Sequence, residues 1–282
     1  MTMIVGVHGI WNYGYYRPSR DAAVAAAAIS ADWTTWLHDG LAAARGKADA
    51  MPVSVAYYAH HLHRGTAQGT DVTQLDEDAQ SLITDWVELL RETPVTAQGT
   101  RTIRARAAVD WLTTHYGEAA RRFAMIFAKE VSSYLKAPAD RRRLAARDAV
   151  AETIRTAARQ DEAVTVVAHS LGSVVVYEAL WAHPELRVDR LVTLGSPLGM
   201  PGVIFDRLDP APGQRGGRPP GVSEWINLAD IGDLVAVPRT GLSSSFDGIV
   251  SENPVLTIAK WDFHSVRSYL SCADVAEATW PR

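Results

Sequence analysis

The chain has 282 residues, 47% of them apolar and 21% charged, which bounds it to one large globular domain or one domain carrying an insertion. Its formal net charge of −4 removes the global basic field that a nucleic-acid binder uses. The one dense basic run, "DRRRLAAR" (140–147), is expected to be a solvated helix face.

The single cysteine, Cys272, excludes an intrachain disulfide and fits a reducing compartment. The opening "MTMIVGVHG" has no charged n-region and no long apolar core, so it reads as a strand, not a signal peptide. A cytoplasmic location is the expectation. Residues 3–9 form the first expected strand, and 21–45 an alanine-rich helix whose Trp33, Trp36, Leu37 and Leu41 make an apolar stripe. Its stretch 22–28 is too short to span a bilayer. "PVSVAYYA" (52–59) is the second strand, with Pro52 at its start.

The next segment breaks the alternation. Leu75, Ala79, Leu82, Ile83, Trp86, Leu89 and Leu90 recur at helical spacing until Pro94 and Gly99 interrupt them. A second long helix is expected over about 101–135, with Ile103, Trp111, Leu112, Tyr116, Phe123, Ile126 and Phe127 facing inward. Two successive helices with no strand between them read as an inserted cap over about 66–136. Alternation then resumes. A helix runs over 140–159 with Asp140 as N-cap, a buried strand over 163–169, a helix over 171–182, and a strand over 188–196. The Pro- and Gly-rich loop 209–221, a strand over 223–230 and a short last strand at about 255–259 follow. Strands alternating with helices predict a parallel sheet covered on both faces.

"VVAHSLGSVVVYEAL" (166–180) sets Ser170 between a strand and a helix with no turn residues to spare. Such an abrupt turn strains the serine backbone and needs small neighbours two residues away on each side, here Ala168 and Gly172. It raises the hydroxyl above the sheet and turns the Leu171 N–H toward a developing oxyanion. In "VHGIW" (7–11), Gly9 permits a close backbone approach, so the Ile10 N–H is the expected second donor. A serine hydroxyl needs a base, and the base an orienting acid. Asp233 in "ADIGDLVAVP" is the preferred acid, with Asp230 the alternative or a loop cap. Only His183 and His264 follow the serine; His183 ends the helix that Ser170 starts, which leaves His264 as the base.

These parts together resemble the α/β-hydrolases, in their lipase- and esterase-like branch. The matching segments are "VHGI" (7–10), "AHSLGS" (168–173), "LGSPLG" (194–199), "NLADIGDLVA" (227–236) and "FHSVRSYL" (263–270), which span nearly the whole chain except the insert. The resemblance implies a catalytic triad of Ser170, Asp233 and His264 with an oxyanion hole at Ile10 and Leu171. Ala168 stands where most members carry glycine, and the sheet is expected to begin at the strand before the oxyanion loop, without the N-terminal hairpin of larger members.

In "WNYGYYRP" (11–18), Trp11 and Tyr13 are candidate substrate-pocket residues, as is His169 beside the serine; a loop folded on the first helix is the plainer alternative. His60, His61 and His63 have no carboxylate or cysteine close in sequence, so a rim position is expected over a metal site. The nine tryptophans suit a cleft or a core equally. The expected chemistry is acyl transfer through a serine ester, with an ester, thioester or amide as substrate and no metal or organic cofactor. A carboxylic-ester hydrolase comes first. The same triad in a thioesterase, peptidase, acyltransferase or cyclase is the rival, and a silent binding protein the third reading. Residues alone do not choose among these, because one scaffold hosts many chemistries. The expected partner is a small acyl substrate, with no nucleic acid and no integral membrane segment.

Overall fold

The computed structural model describes residues 2–46, 51–63, 71–91, 99–160, 163–258 and 264–280. Pro94, Phe263 and the start of the expected insert lie outside them. Six parallel strands form one sheet in the order β2-β1-β3-β4-β5-β6. They are β1 (Thr2–Val7), β2 (Val53–Ala56), β3 (Ala163–His169), β4 (Val188–Leu194), β5 (Val222–Asp230) and β6 (Ser251–Leu256). Val164 to His169 are all buried, which explains why β3 reads as a continuous apolar run rather than an alternating one.

Helices cover both faces. On one side lie α2 (Ala22–Arg45), α8 (Val266–Leu270) and α9 (Ala273–Thr279), around Ile4, Trp33, Val167 and Val192. Asp21 caps α2 by accepting from Ala23 N at 2.7 Å and Val24 N at 3.2 Å. Ala25, Ile29, Trp33, Leu37 and Leu41 then repeat every fourth residue down its buried face. On the other side lie α4 (Glu77–Leu90), α5 (Arg101–Tyr134), α6 (Arg141–Gln160) and α7 (Leu171–Ala182), which share one apolar core with the sheet. Two single-turn helices, α1 (Tyr13–Tyr16) and α3 (Ala59–Leu62), complete the α-helices of the described residues. Among the described residues no helix is long and apolar enough to cross a membrane.

Four expectations need correction. The last strand begins at Ser251 and contains Pro254, not 255–259; residue 259 itself lies outside the described residues. A proline is tolerated there because β6 ends the sheet order, and the ladder to β5 shifts register between Leu228 and Asp230. The long helix α5 breaks at Gly117 (φ 81°), so no single stripe runs through it. Ala105, Ala108, Val109 and Leu112 are buried before the break, which leaves Ile103 51% and Tyr116 41% exposed. Residues 11–18 are partly helical, through α1. Finally, the basic run 140–147 is not a solvated face throughout. Arg143 and Arg147 share a buried stripe with Ala146 and Val150. Arg143 Nε donates to Glu178 at 2.9 Å, with a second bond from Nη2, and Arg147 pairs with Asp209 at 2.7 Å.

The connectivity creates a switch point. The chain leaves β1 toward α2 on one face and leaves β3 toward α7 on the other, although β1 and β3 are neighbours. Loops that part in opposite directions open a crevice at the carboxyl ends of the strands. Residues 8–12 follow β1 and Ser170 follows β3, so both fall at this switch point.

Candidate active site

Ser170 is the first residue after β3, and α7 starts at the next one. Its backbone is held at φ 56°, ψ −131°, a left-handed conformation that a non-glycine residue adopts only under external constraint. The constraint is visible. Ser170 N donates to Leu194 O at 3.0 Å, and its carbonyl accepts from Ser173 N at 2.9 Å and Ser173 Oγ at 2.7 Å. Gly172 is packed so tightly that a Cβ there would collide with the carbonyl oxygens of Val7 and His8. The turn therefore brings the start of α7 against the end of β1.

The segment after β1 is fixed just as firmly. His8 is fully buried, with Nδ1 2.8 Å from Gly9 O and Nε2 accepting from Tyr58 N at 3.2 Å. Both bonds are satisfied only by the neutral imidazole with its proton on Nδ1. Burial drives the His8 pKa down to about 4 against the upward pull of the Gly9 carbonyl, which agrees with that neutral form. Asn12 Nδ2 donates to Gly9 O at 3.1 Å and Ile10 O at 2.8 Å, and Tyr57 holds the Asn12 carbonyl at 2.9 Å. In a trans peptide the N–H points opposite the C=O. With the Gly9 carbonyl tied to His8 and Asn12, the Ile10 N–H is aimed away from them. Gly9 lies so close to the serine that an added Cβ would sit 2.6 Å from Ser170 Cβ.

His264 precedes α8, and its Nδ1 lies 2.9 and 2.8 Å from the two oxygens of Asp233. Asp233 is buried and takes further donors from Val235 N at 2.8 Å and Tyr269 Oη at 2.7 Å. Asp230 is spent on the backbone instead, accepting from Gly232 N at 2.7 Å and Ile258 N at 2.5 Å. The histidine thus meets Asp233, and Asp230 caps the loop. The His264 ring lies 4.6 Å from His169, the residue before the serine, and 5.2 Å from Phe123 of α5 in an edge-to-face contact. Ser170 Oγ and His264 Nε2 are buried and have no hydrogen-bond partner among the described residues, so the bond between them is not made here. Buried polar atoms without partners are costly in a core and common where a substrate completes the set.

The tentative pocket residues divide. His169 is buried beside His264, and burial first, then the neighbouring His264 and His8, holds its pKa well below the usual value. Trp11 is 59% exposed at φ 67°, and Tyr13 stacks on His63 at 3.5 Å, so both lie toward the rim of the β1 loop. His60 stacks on Tyr16 and Tyr57 at 5.1 and 5.7 Å in the same rim. Sequence reasoning missed three residues of this site. Asn12 carried a local signal, since a short amide side chain commonly bonds backbone groups close by in the chain. Glu130, which accepts from Trp11 N at 3.2 Å, and Tyr269 carried none, because their partners are distant in the chain.

Compared with known proteins, the chain matches no protein-family model, no curated protein and no solved structure.

Proposed function

We propose that the protein is a serine hydrolase of the α/β-hydrolase type that cleaves carboxylic esters through an acyl-serine intermediate. One observation carries the reading: a serine at φ 56° on a strand-to-helix turn directly follows His169, whose ring lies 4.6 Å from a histidine with its Nδ1 bound to a buried aspartate and its Nε2 without a partner among the described residues. His264 Nε2 takes the Ser170 proton as Oγ attacks the ester carbonyl. Asp233 holds the Nδ1 proton in place and stabilises the imidazolium that forms. The tetrahedral oxyanion is received by the N–H groups of Ile10 and Leu171, the latter at the start of α7 where no intrahelical acceptor exists. Collapse expels the alcohol, protonated by His264, and water activated by the same histidine releases the acid. In this reading α4 and α5 act as the cap, with Phe123 closing over His264 and favouring an apolar acyl group.

Labelling of the purified protein with a fluorophosphonate tests this directly. The wild type is expected to be labelled, Ser170→Ala to be blank and His264→Ala to be slowed by about 10³-fold or more. A folded wild type that takes no label, and turns over no member of an ester and thioester panel, would sink the proposal.

A further inference from the structure

We infer that Tyr269 is a positioning residue for the Asp233–His264 pair, its phenol fixing the direction and basicity of the carboxylate that orients the base. The inference rests on the serine-hydrolase reading above and adds a residue that the triad alone does not require.

Tyr269 lies on α8, the helix that begins directly after His264 and Ser265. Its side chain is buried, and its hydroxyl makes two bonds with opposite senses. Asp230 N donates to Oη at 2.8 Å, and Oη stands 2.7 Å from Asp233 Oδ2. A phenol has one proton. With a backbone N–H using the oxygen as acceptor, that proton has Asp233 as its destination. Asp233 then holds one donor on each oxygen, Val235 N on Oδ1 and Tyr269 on Oδ2, so rotation of the carboxylate is blocked from both sides. His264 Nδ1 meets the plane so defined, near both oxygens. The same hydroxyl joins the last residue of β5 to α8, which keeps acid and base in register when either element moves.

The donor persists over the working range, because burial and then the adjacent Asp233 carboxylate push the Tyr269 phenol well above its usual value. Other titratable groups facing the pair are accounted for. Asp230 is turned to backbone N–H groups, His169 packs on both His264 and the Tyr269 ring (5.6 Å), and His8 lies near enough to His169 to lower its pKa. Both of those histidines have strongly lowered pKa values, His8 near 4, so neither supplies a limb in the neutral range.

The test compares Tyr269→Phe and site-specific 3-fluorotyrosine at position 269 with the wild type. The probes are p-nitrophenyl acetate turnover across pH and fluorophosphonate titration of competent sites. Loss of the hydroxyl leaves the carboxylate more basic, so it holds the protonated imidazole more tightly. The acidic limb of kcat/KM is expected to move up by about half to one pH unit. The plateau kcat per labelled site should fall about 3- to 10-fold as orientation loosens. The more acidic fluorophenol is a stronger donor and should move the limb down. Opposite shifts support the role, and packing alone does not produce them. If the wild type is labelled and active but both variants keep its limb, Tyr269 is packing and the inference is wrong. If Tyr269→Phe does not fold, the fluorotyrosine arm decides alone. A wild type that is never labelled at Ser170 overturns the hydrolase reading, and this inference falls with it.

Discussion

Asp230 and Asp233 stand in one loop after β5, and their hydrogen bonds separate two kinds of work. Asp233→Asn keeps the shape but places an amide against His264, favouring the wrong imidazole tautomer. A fall of about 10³- to 10⁴-fold in kcat is expected, with little change in thermal stability. Asp230→Ala strips the acceptors from Gly232 N and Ile258 N, which should cost about 1–3 kcal/mol of stability while kcat changes less than tenfold. Urea unfolding and steady-state kinetics on the two variants check this, and an exchange of the two phenotypes would reverse the assignment. Sequence reasoning pointed to Ser170 and His264 because an elbow needs small neighbours and only two histidines follow it. It ranked Asp233 above Asp230 from its place in the loop alone, although both lie on the right side of the sheet. Only the approach of His264 and Tyr269 separates them, and Tyr269 itself carries no local pattern.

At the level of elements, period and punctuation were legible and the depth of packing was not. The strand–helix alternation, the Asp140 cap (Arg142 N at 2.8 Å) and the end of α7 before Pro184 follow local rules and stand as expected. Proline at an edge strand and the Gly117 break mislead, because each is permitted by neighbours that the pattern does not reveal. The insert shows the same limit. An added cap suggests a separable lid, yet α4 and α5 contribute Leu82, Trp86, Leu112 and Phe127 to the core that also holds Val5, Val166 and Leu171. Trp86 is fully buried against the rings of Phe123 and Phe127, and its Nε1 donates to Leu234 O at 2.9 Å, next to Asp233. Trp86→Ala should therefore cost about 3–5 kcal/mol, and excision of residues 66–136 should abolish folding rather than leave a folded, uncapped protein. Urea denaturation and near-ultraviolet circular dichroism read both outcomes. A folded, active protein after excision would make the pair a detachable cap after all.

For the whole molecule, buried ionisable groups set how stability responds to pH, and Glu130 opposes the histidines. Burial, resisted by the Trp11 N–H and then by Lys129, raises the Glu130 carboxyl to about 7. A raised acid contributes stability that is fully present below the unfolded value and lost as pH rises through the folded one, here between about 4.5 and 7. His8 runs the other way. Its depressed pKa gives stability present above 6.5 and lost as pH falls toward 4, and His169 acts in the same sense. The two trends overlap, so the wild-type profile is flatter than either. Glu130→Gln retains a carbonyl oxygen for Trp11 N and removes only the acid's contribution, while the histidine contributions cancel between the two proteins. Relative to wild type, the glutamine variant should gain about 2 kcal/mol on going from pH 5 to pH 8, less than the full shift because pH 5 already lies above the unfolded value. Urea midpoints at the two pH values measure this, and an unchanged difference would mean that Glu130 does not titrate between them. The same ionisation acts on the site with the opposite sign. A charged Glu130 is the stronger acceptor for Trp11 N–H, one residue from the Ile10 donor, so alkaline pH weakens the fold while tightening the loop that would receive the oxyanion.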